Sequence, residues 1–161
     1  MNLDDKGITI KLLADCEEHI PTLAVLYYEE LARSWNPNAS TETTKQTLIN
    51  HLNKDKMPLT FIALHQNEPI GIASLRENDG IRPDLLPWLG GLVVDPRYRG
   101  LGVGEKLIDA VKFQAIQWKY KTLYLLAYDK TIPRWYASLG WEVIGADELH
   151  GHPVTVMRIY I

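Results

Sequence analysis

Between Arg97 and Gly104 the chain reads RYRGLGVG, two arginines and three glycines within eight residues. The apolar run LVV precedes this stretch and apolar residues at helical spacing follow it. Glycine tolerates positive φ and lets a ligand come close to bare backbone. The first N–H groups of a helix opening near Leu101 would have no intrahelical partner. Together with the helix dipole they form an anion site, which Arg97 and Arg99 would reinforce. A phosphate-bearing ligand fits that chemistry; the plainer alternative is a corner turned by small residues. No Gly-Lys-Ser/Thr follows, as a P-loop needs, and the glycines run G-x-G-x-G without the G-x-G-x-x-G step of a dinucleotide fold.

A second group with chemical potential is Tyr136, in RWYASLGW. Its phenol can donate a proton, or it can pack in a core beside Trp135 and Trp141. His150 and His152 stand two apart in ELHGHPVTVM, but two imidazoles without a third ligand make a poor metal site. A solvated turn is expected there, and no metal. Cys16, the lone cysteine, can form no internal disulfide, and its acidic neighbours disfavour a reactive thiolate.

The elements that must position these groups belong to a chain of 161 residues, which suits one domain over 1–161 with an ordinary core. Seventeen basic against twenty acidic residues, net −3, offer no general attraction to nucleic acid or anionic lipid. The N-terminal stretch lacks a signal-peptide pattern and no apolar run approaches membrane-spanning length, so the cytoplasm is the expected compartment.

ITIKLL (8–13) reads as a strand, and residues 15–35 carry helical spacing. A capping pattern at Ser40 opens a second helix from about Thr41 to Lys54. Residues 59–78 form a hairpin turning between Gln66 and Pro69, and DGIRPDLLPW is a loop. WLGGLVVDP is a strand stopped by Pro96. From Leu101 to Trp118, Val103, Leu107, Ile108, Val111, Ala115 and Trp118 share one helical stripe. A buried-type strand KTLYLLAY, a short helix TIPRWYASLG and two closing strands, WEVIG and PVTVMRIYI, complete the order β-α-α-β-β-β-α-β-α-β-β.

Arg99, Gly102 and Gly104 match Arg-x-x-Gly-x-Gly, which resembles the pyrophosphate loop of the GNAT superfamily of N-acetyltransferases. RWYASLGW resembles the later Tyr-x-x-x-Gly-aromatic segment of that family, and the element order is similar from Ile8 to Ile161. The resemblance implies an α/β (α+β) fold. It has a mixed sheet of about seven strands, about four flanking helices and a splayed parallel pair near 88–95 and 122–127. It implies acetyl-CoA as cofactor, with the pantetheine arm paired along Leu92, Val93 and Val94. The diphosphate would be held at Arg99, Gly100, Leu101, Gly102, Val103 and Gly104, and Tyr136 would be the acid that protonates the CoA sulfur.

Two departures stand out against that pattern. Gly90 occupies the place where many relatives carry a glutamate base, and Asp129 the place of an asparagine that touches the cofactor. Glu29, Glu77 and His150 are candidates to reach the acceptor through water. Tyr27, Tyr28, Glu29, Glu30 and Trp35 are candidates to line its pocket. The acidic residues Glu29, Glu30, Glu77, Asp79 and Asp84 favour a cationic small-molecule amine as acceptor. A protein lysine or N-terminus is the alternative acceptor, and a CoA-binding module without catalysis the alternative class. The apolar final strand VTVMRIYI is a candidate for pairing across a homodimer.

Overall fold

The computed structural model describes residues 7–128 and 131–161; Asp129 lies outside the described residues. Seven strands form one mixed sheet in the order β1-β2-β3-β4-β5-β7-β6. The strands are β1 (Ile8–Leu12), β2 (Leu59–His65), β3 (Glu68–Arg76), β4 (Trp88–Val94), β5 (Thr122–Ala127), β6 (Glu142–Leu149) and β7 (His152–Tyr160). Every neighbouring pair is antiparallel except β4 and β5. The β2–β3 turn is the two residues Gln66 and Asn67, at φ 50° and 65°, the pair of positive angles that matches the twist of a tight hairpin.

Helices cover both faces, and the alternation of side chains along the strands assigns residues to each. On one face α1 (Ile20–Tyr27) and α3 (Thr41–Asn50) pack through Leu23, Ala24 and Leu48 onto Ile62, Ile72 and Val93. On the other, α4 (Val103–Gln117) buries Val103, Leu107, Ile108, Val111 and Ala115 against Ala63, Ala73, Leu75 and Leu89. This is the stripe expected from the sequence, except for Trp118, which stands just past the helix end and is only partly buried against that core. α5 (Ile132–Ser138) carries Tyr136 into the same core.

The first helix departs from a single run over 15–35. α1 passes at Tyr28–Ala32 into a π-helical turn, then into α2 (Arg33–Trp35). Such insertions recur at functional sites. α3 ends at Asn50, four residues before the expected Lys54, and His51 caps it. At its start the partner of Ser40 is Thr43: each backbone N–H donates to the other's hydroxyl, at 3.0 and 2.9 Å. The closing hairpin is longer than WEVIG suggested, because β6 runs to Leu149, and its turn holds His150 and Gly151 at φ 51° and 78°.

The feature that creates a site lies in β4. Opposite Ile72–Ser74, β4 places Val93 and Gly90, one residue more than the partner strand. This bulge flips the alternation, so Leu89 faces α4 whereas Val93 faces α1. Gly91 takes φ 59° there, and an added Cβ would lie 2.8 Å from the Tyr27 ring. β4 meets β5 only at Trp88 and Tyr124. Beyond that pair the two parallel strands separate, and Leu92–Val94 has no β5 partner.

Candidate functional site

Two clefts open where β4 and β5 part. The first, about 690 Å³, is lined by Leu92, Val93 and Val94, by Arg99, Gly100, Gly102, Val103 and Gly104, and by Trp135 and Tyr136. The second, about 530 Å³, lies between α1, α3 and the other side of the bulge, and holds Tyr27, Trp35, His51, Arg76, Asp79, Gly90 and Gly91. Leu31, Leu92, Tyr128, Ile132 and Tyr136 line both, so the clefts meet there.

The glycine stretch turns the chain from β4 into α4. Asp95 accepts from the Arg97 amide, starting a short 3-10 turn at Pro96–Tyr98. Gly100 and Gly102 then take φ 75° and 84°, a region that L side chains rarely adopt. The first helical hydrogen bond of α4 runs from the Lys106 amide to the Gly102 carbonyl, which leaves the amides of Val103, Gly104 and Glu105 as first-turn donors. Gly104 has a different reason to be small: its Cβ would lie 3.1 Å from the Trp135 ring. Leu101 does not line the cleft.

The two arginines divide. Arg97 is bound to Asp95 at 2.8 Å and Glu68 at 2.9 Å, outside both clefts, contrary to the expectation that it stands at the anion site. Arg99 lines the first cleft, its guanidinium 2.8 Å from Glu30.

Tyr136 is 7% exposed and packs between Trp135 and Trp141, with ring centroids 4.9 and 5.8 Å away. Its ring is part of the core, and it also lines both clefts. Its hydroxyl has no hydrogen-bond partner among the described residues. Burial, and secondarily the negative charge of Asp79, push the phenol well above its ordinary range, so it stays protonated at neutral pH.

Of the expected acceptor-side residues, Tyr27, Trp35, Asp79 and His150 line the second cleft. Trp35 packs edge-on against Tyr128 at 4.4 Å and near His152 at 5.7 Å. Tyr28, Glu29 and Glu77 do not line it, and Glu29 and Glu77 are exposed. Tyr27, Leu31 and Trp35 recur every fourth residue and share one side of the helix, so Tyr28 and Glu29 are turned off it. Glu30 belongs to the first cleft, and Asp84 is bound to Arg82 on an exposed loop.

The sequence alone did not bring out the cluster at the floor of the second cleft. Arg76 donates from Nη1 to Asp79 Oδ1 at 2.8 Å, from Nη2 to the Tyr27 hydroxyl at 3.1 Å and from Nε to His51 Nε2 at 3.2 Å. As His51 Nε2 accepts, Nδ1 carries the proton and donates to the Thr47 carbonyl at 2.6 Å. Burial, then the Arg76 charge, lower the His51 pKa to about 4, so the ring is neutral. A Cβ on Gly90 would lie 2.8 Å from Arg76 Nη1 and 2.9 Å from Asp79 Oδ1. Position 90 is bare because this ion pair fills the space above it. The weak available signal was an arginine and an aspartate three residues apart at a strand end.

Residues 23–141 match the acetyltransferase (GNAT) family. The chain belongs to that family. A spermine/spermidine N(1)-acetyltransferase of Bacillus subtilis (strain 168) is 31% identical over 75 residues, which cover 45% of this chain and 49% of that protein. The chain thus matches about half the length of that GNAT relative. Among solved structures, a GCN5-related N-acetyltransferase from Kribbella flavida superposes with a TM-score of 0.78 at 15% identity, over 98% of this chain and 100% of the other. An aminoglycoside 6'-N-acetyltransferase complexed with coenzyme A gives 0.73 at 15% identity, over 94% and 96%. At these identities the likeness establishes the GNAT fold, with its parted β4–β5 pair.

Proposed function

We propose that this GNAT protein transfers acetyl from acetyl-CoA to a primary amine of a small cationic molecule, by direct attack while both substrates are bound. The observation that carries the reading is the junction of two clefts at Leu92 and Tyr136, one suited to a diphosphate and an extended arm, the other to an amine.

The first cleft has the features coenzyme A requires. Leu92–Val94 offers main-chain groups left without a β5 partner, able to pair with an extended amide-bearing arm as an added strand would. Gly100 and Gly102 keep side chains away from the first-turn amides of α4, and Arg99 lies beside them. When bound, acetyl-CoA supplies a thioester whose acyl carbon accepts a nucleophile. In this reading the Leu92 amide, on the side of β4 that β5 leaves open, stabilises negative charge on the acyl oxygen. Tyr136 keeps a proton on Oη at the junction and is the acid for the departing sulfur.

The second cleft supports a cationic acceptor through the Asp79 carboxylate and the rings of Tyr27, Trp35 and Tyr128, since aromatic faces attract ammonium groups. The threonine side of α3 and the His150 turn border it, which suits a small molecule better than a peptide laid across an open groove. The spermine/spermidine enzyme among the relatives is consistent with such an acceptor.

The test is release of free thiol from acetyl-CoA with a panel containing a polyamine, an aminoglycoside and a lysine peptide. Release with the small amines is expected. Release with the peptide alone overturns the acceptor class, and coenzyme A binding without release for any amine overturns the enzyme.

A further inference from the structure

We propose that Asp79 is the carboxylate that receives the proton which the acceptor amine must lose, and that Arg76 fixes it in place. This rests on the acetyl-transfer reading above. A lysine-like ammonium titrates near 10.4 and is almost wholly protonated at neutral pH, while the amide product retains only one N–H. A group on the acceptor side has to take a proton during the reaction.

The second cleft narrows the choice. Glu29 and Glu77 are exposed and line neither cleft. His150 sits on the exposed turn between β6 and β7. Both nitrogens of His51 are engaged, one by the Thr47 carbonyl and the other by Arg76. Among the described residues lining the cleft Asp79 is the carboxylate, and its side chain is 11% exposed. Arg76 binds Oδ1 at 2.8 Å, and Oδ2 has no hydrogen-bond partner among the described residues. One oxygen is therefore anchored while the other is free to accept.

Two observations place this carboxylate beside the reacting region. An added Cβ on Gly90 would come within 2.9 Å of Oδ1, so the charge lies directly over β4, two residues before Leu92 at the cleft junction. The field of Asp79 also reaches the Tyr136 phenol, where it opposes ionisation. Arg76 is held in turn by His51 and Tyr27, from α1 and the end of α3. Apart from Arg76 and Asp79, the described residues lining the cleft include no carboxylate, lysine or arginine.

The proton balance follows. The ammonium gives one proton to Oδ2, directly or through one water, and the freed nitrogen pair forms the N–C bond to the acyl carbon. The C–S bond breaks with its electron pair going to sulfur, which takes the Tyr136 proton. The second nitrogen proton restores the phenol through solvent, and Asp79 releases its own to bulk water. The sum is ammonium plus acetyl-CoA giving amide, free thiol and one proton.

The test compares wild type with Asp79→Asn, using spermidine and a fluorinated ethylamine that is largely neutral at pH 7. Calorimetric affinities for acetyl-CoA and spermidine accompany thiol release across pH. With Asp79→Asn, kcat/KM for spermidine should fall by on the order of 10²- to 10⁴-fold. The variant's rate should keep rising with pH as the free amine accumulates toward its own pKa near 10.4, acetyl-CoA affinity should hold, and the defect should shrink markedly for the weakly basic amine. Asp79→Glu restores a carboxylate and should recover part of the rate. Unchanged turnover in Asp79→Asn, or an equal defect with both amines, overturns the assignment and leaves acetyl transfer standing. A wild type that binds acetyl-CoA but acetylates no amine overturns both.

Discussion

His51 makes the stability of this protein depend on pH in a direction that can be worked out. His51 is 8% exposed, its pKa is lowered to about 4 by burial and by the Arg76 charge, and an unfolded histidine titrates near 6.5. Between those values the unfolded chain binds a proton that the folded chain refuses. Folding stability therefore loses nothing at pH 7 and falls as pH drops from about 6.5 toward 4. The full difference corresponds to about 3 kcal/mol, of which about 2 kcal/mol is lost by pH 4.5. For a domain of this size that is a fall of roughly 4–8 °C in Tm. The perturbation is His51→Gln, whose amide can donate to the Thr47 carbonyl and accept from Arg76 without titrating. Calorimetric melting of both proteins from pH 7 to 4.5 isolates the histidine, because carboxylates titrate alike in each. Wild type should lose about 2 kcal/mol more than the variant over that range. Parallel curves would refute a neutral, buried His51 wedged against Arg76.

Two further outcomes follow from the first cleft. Tyr136→Phe should lower kcat by on the order of 10²- to 10⁴-fold while calorimetric acetyl-CoA affinity stays at the wild-type value, because the ring is kept and only the acidic proton is lost; unchanged turnover removes the acid role. Gly102→Val forces a branched side chain to φ 84° at the start of α4, a strain on the order of 1–2 kcal/mol. It should lower Tm and abolish coenzyme A binding, and undiminished affinity in calorimetry counts against the diphosphate loop.

How much of the site was legible follows from how local each feature is. The turn from β4 into α4 lies within one short stretch, where glycine φ values, first-turn amides and the stop at Pro96 depend on neighbours along the chain. The succession of strands and helices likewise followed from periodicity, because strand and helix patterns repeat within each segment. Element ends were less legible: the π-helical turn at Tyr28–Ala32 changes the angular step between residues without any compositional sign. Tyr27, and not Tyr28, meets the cleft because it shares one side of the helix with Leu31 and Trp35.

What the linear order of residues determined was the glycine turn into α4, the Tyr136 segment and the succession of strands and helices, since each is set by interactions between near neighbours. Only the folded chain decided which of two nearby arginines stands at the loop, why position 90 has no side chain, and which acid lines the second cleft. Those answers depend on Tyr27, His51, Arg76, Asp79 and Gly90, brought within contact from separate elements. A charge is buried where other groups compensate it, and compensation between distant segments leaves no spacing to be read along the chain.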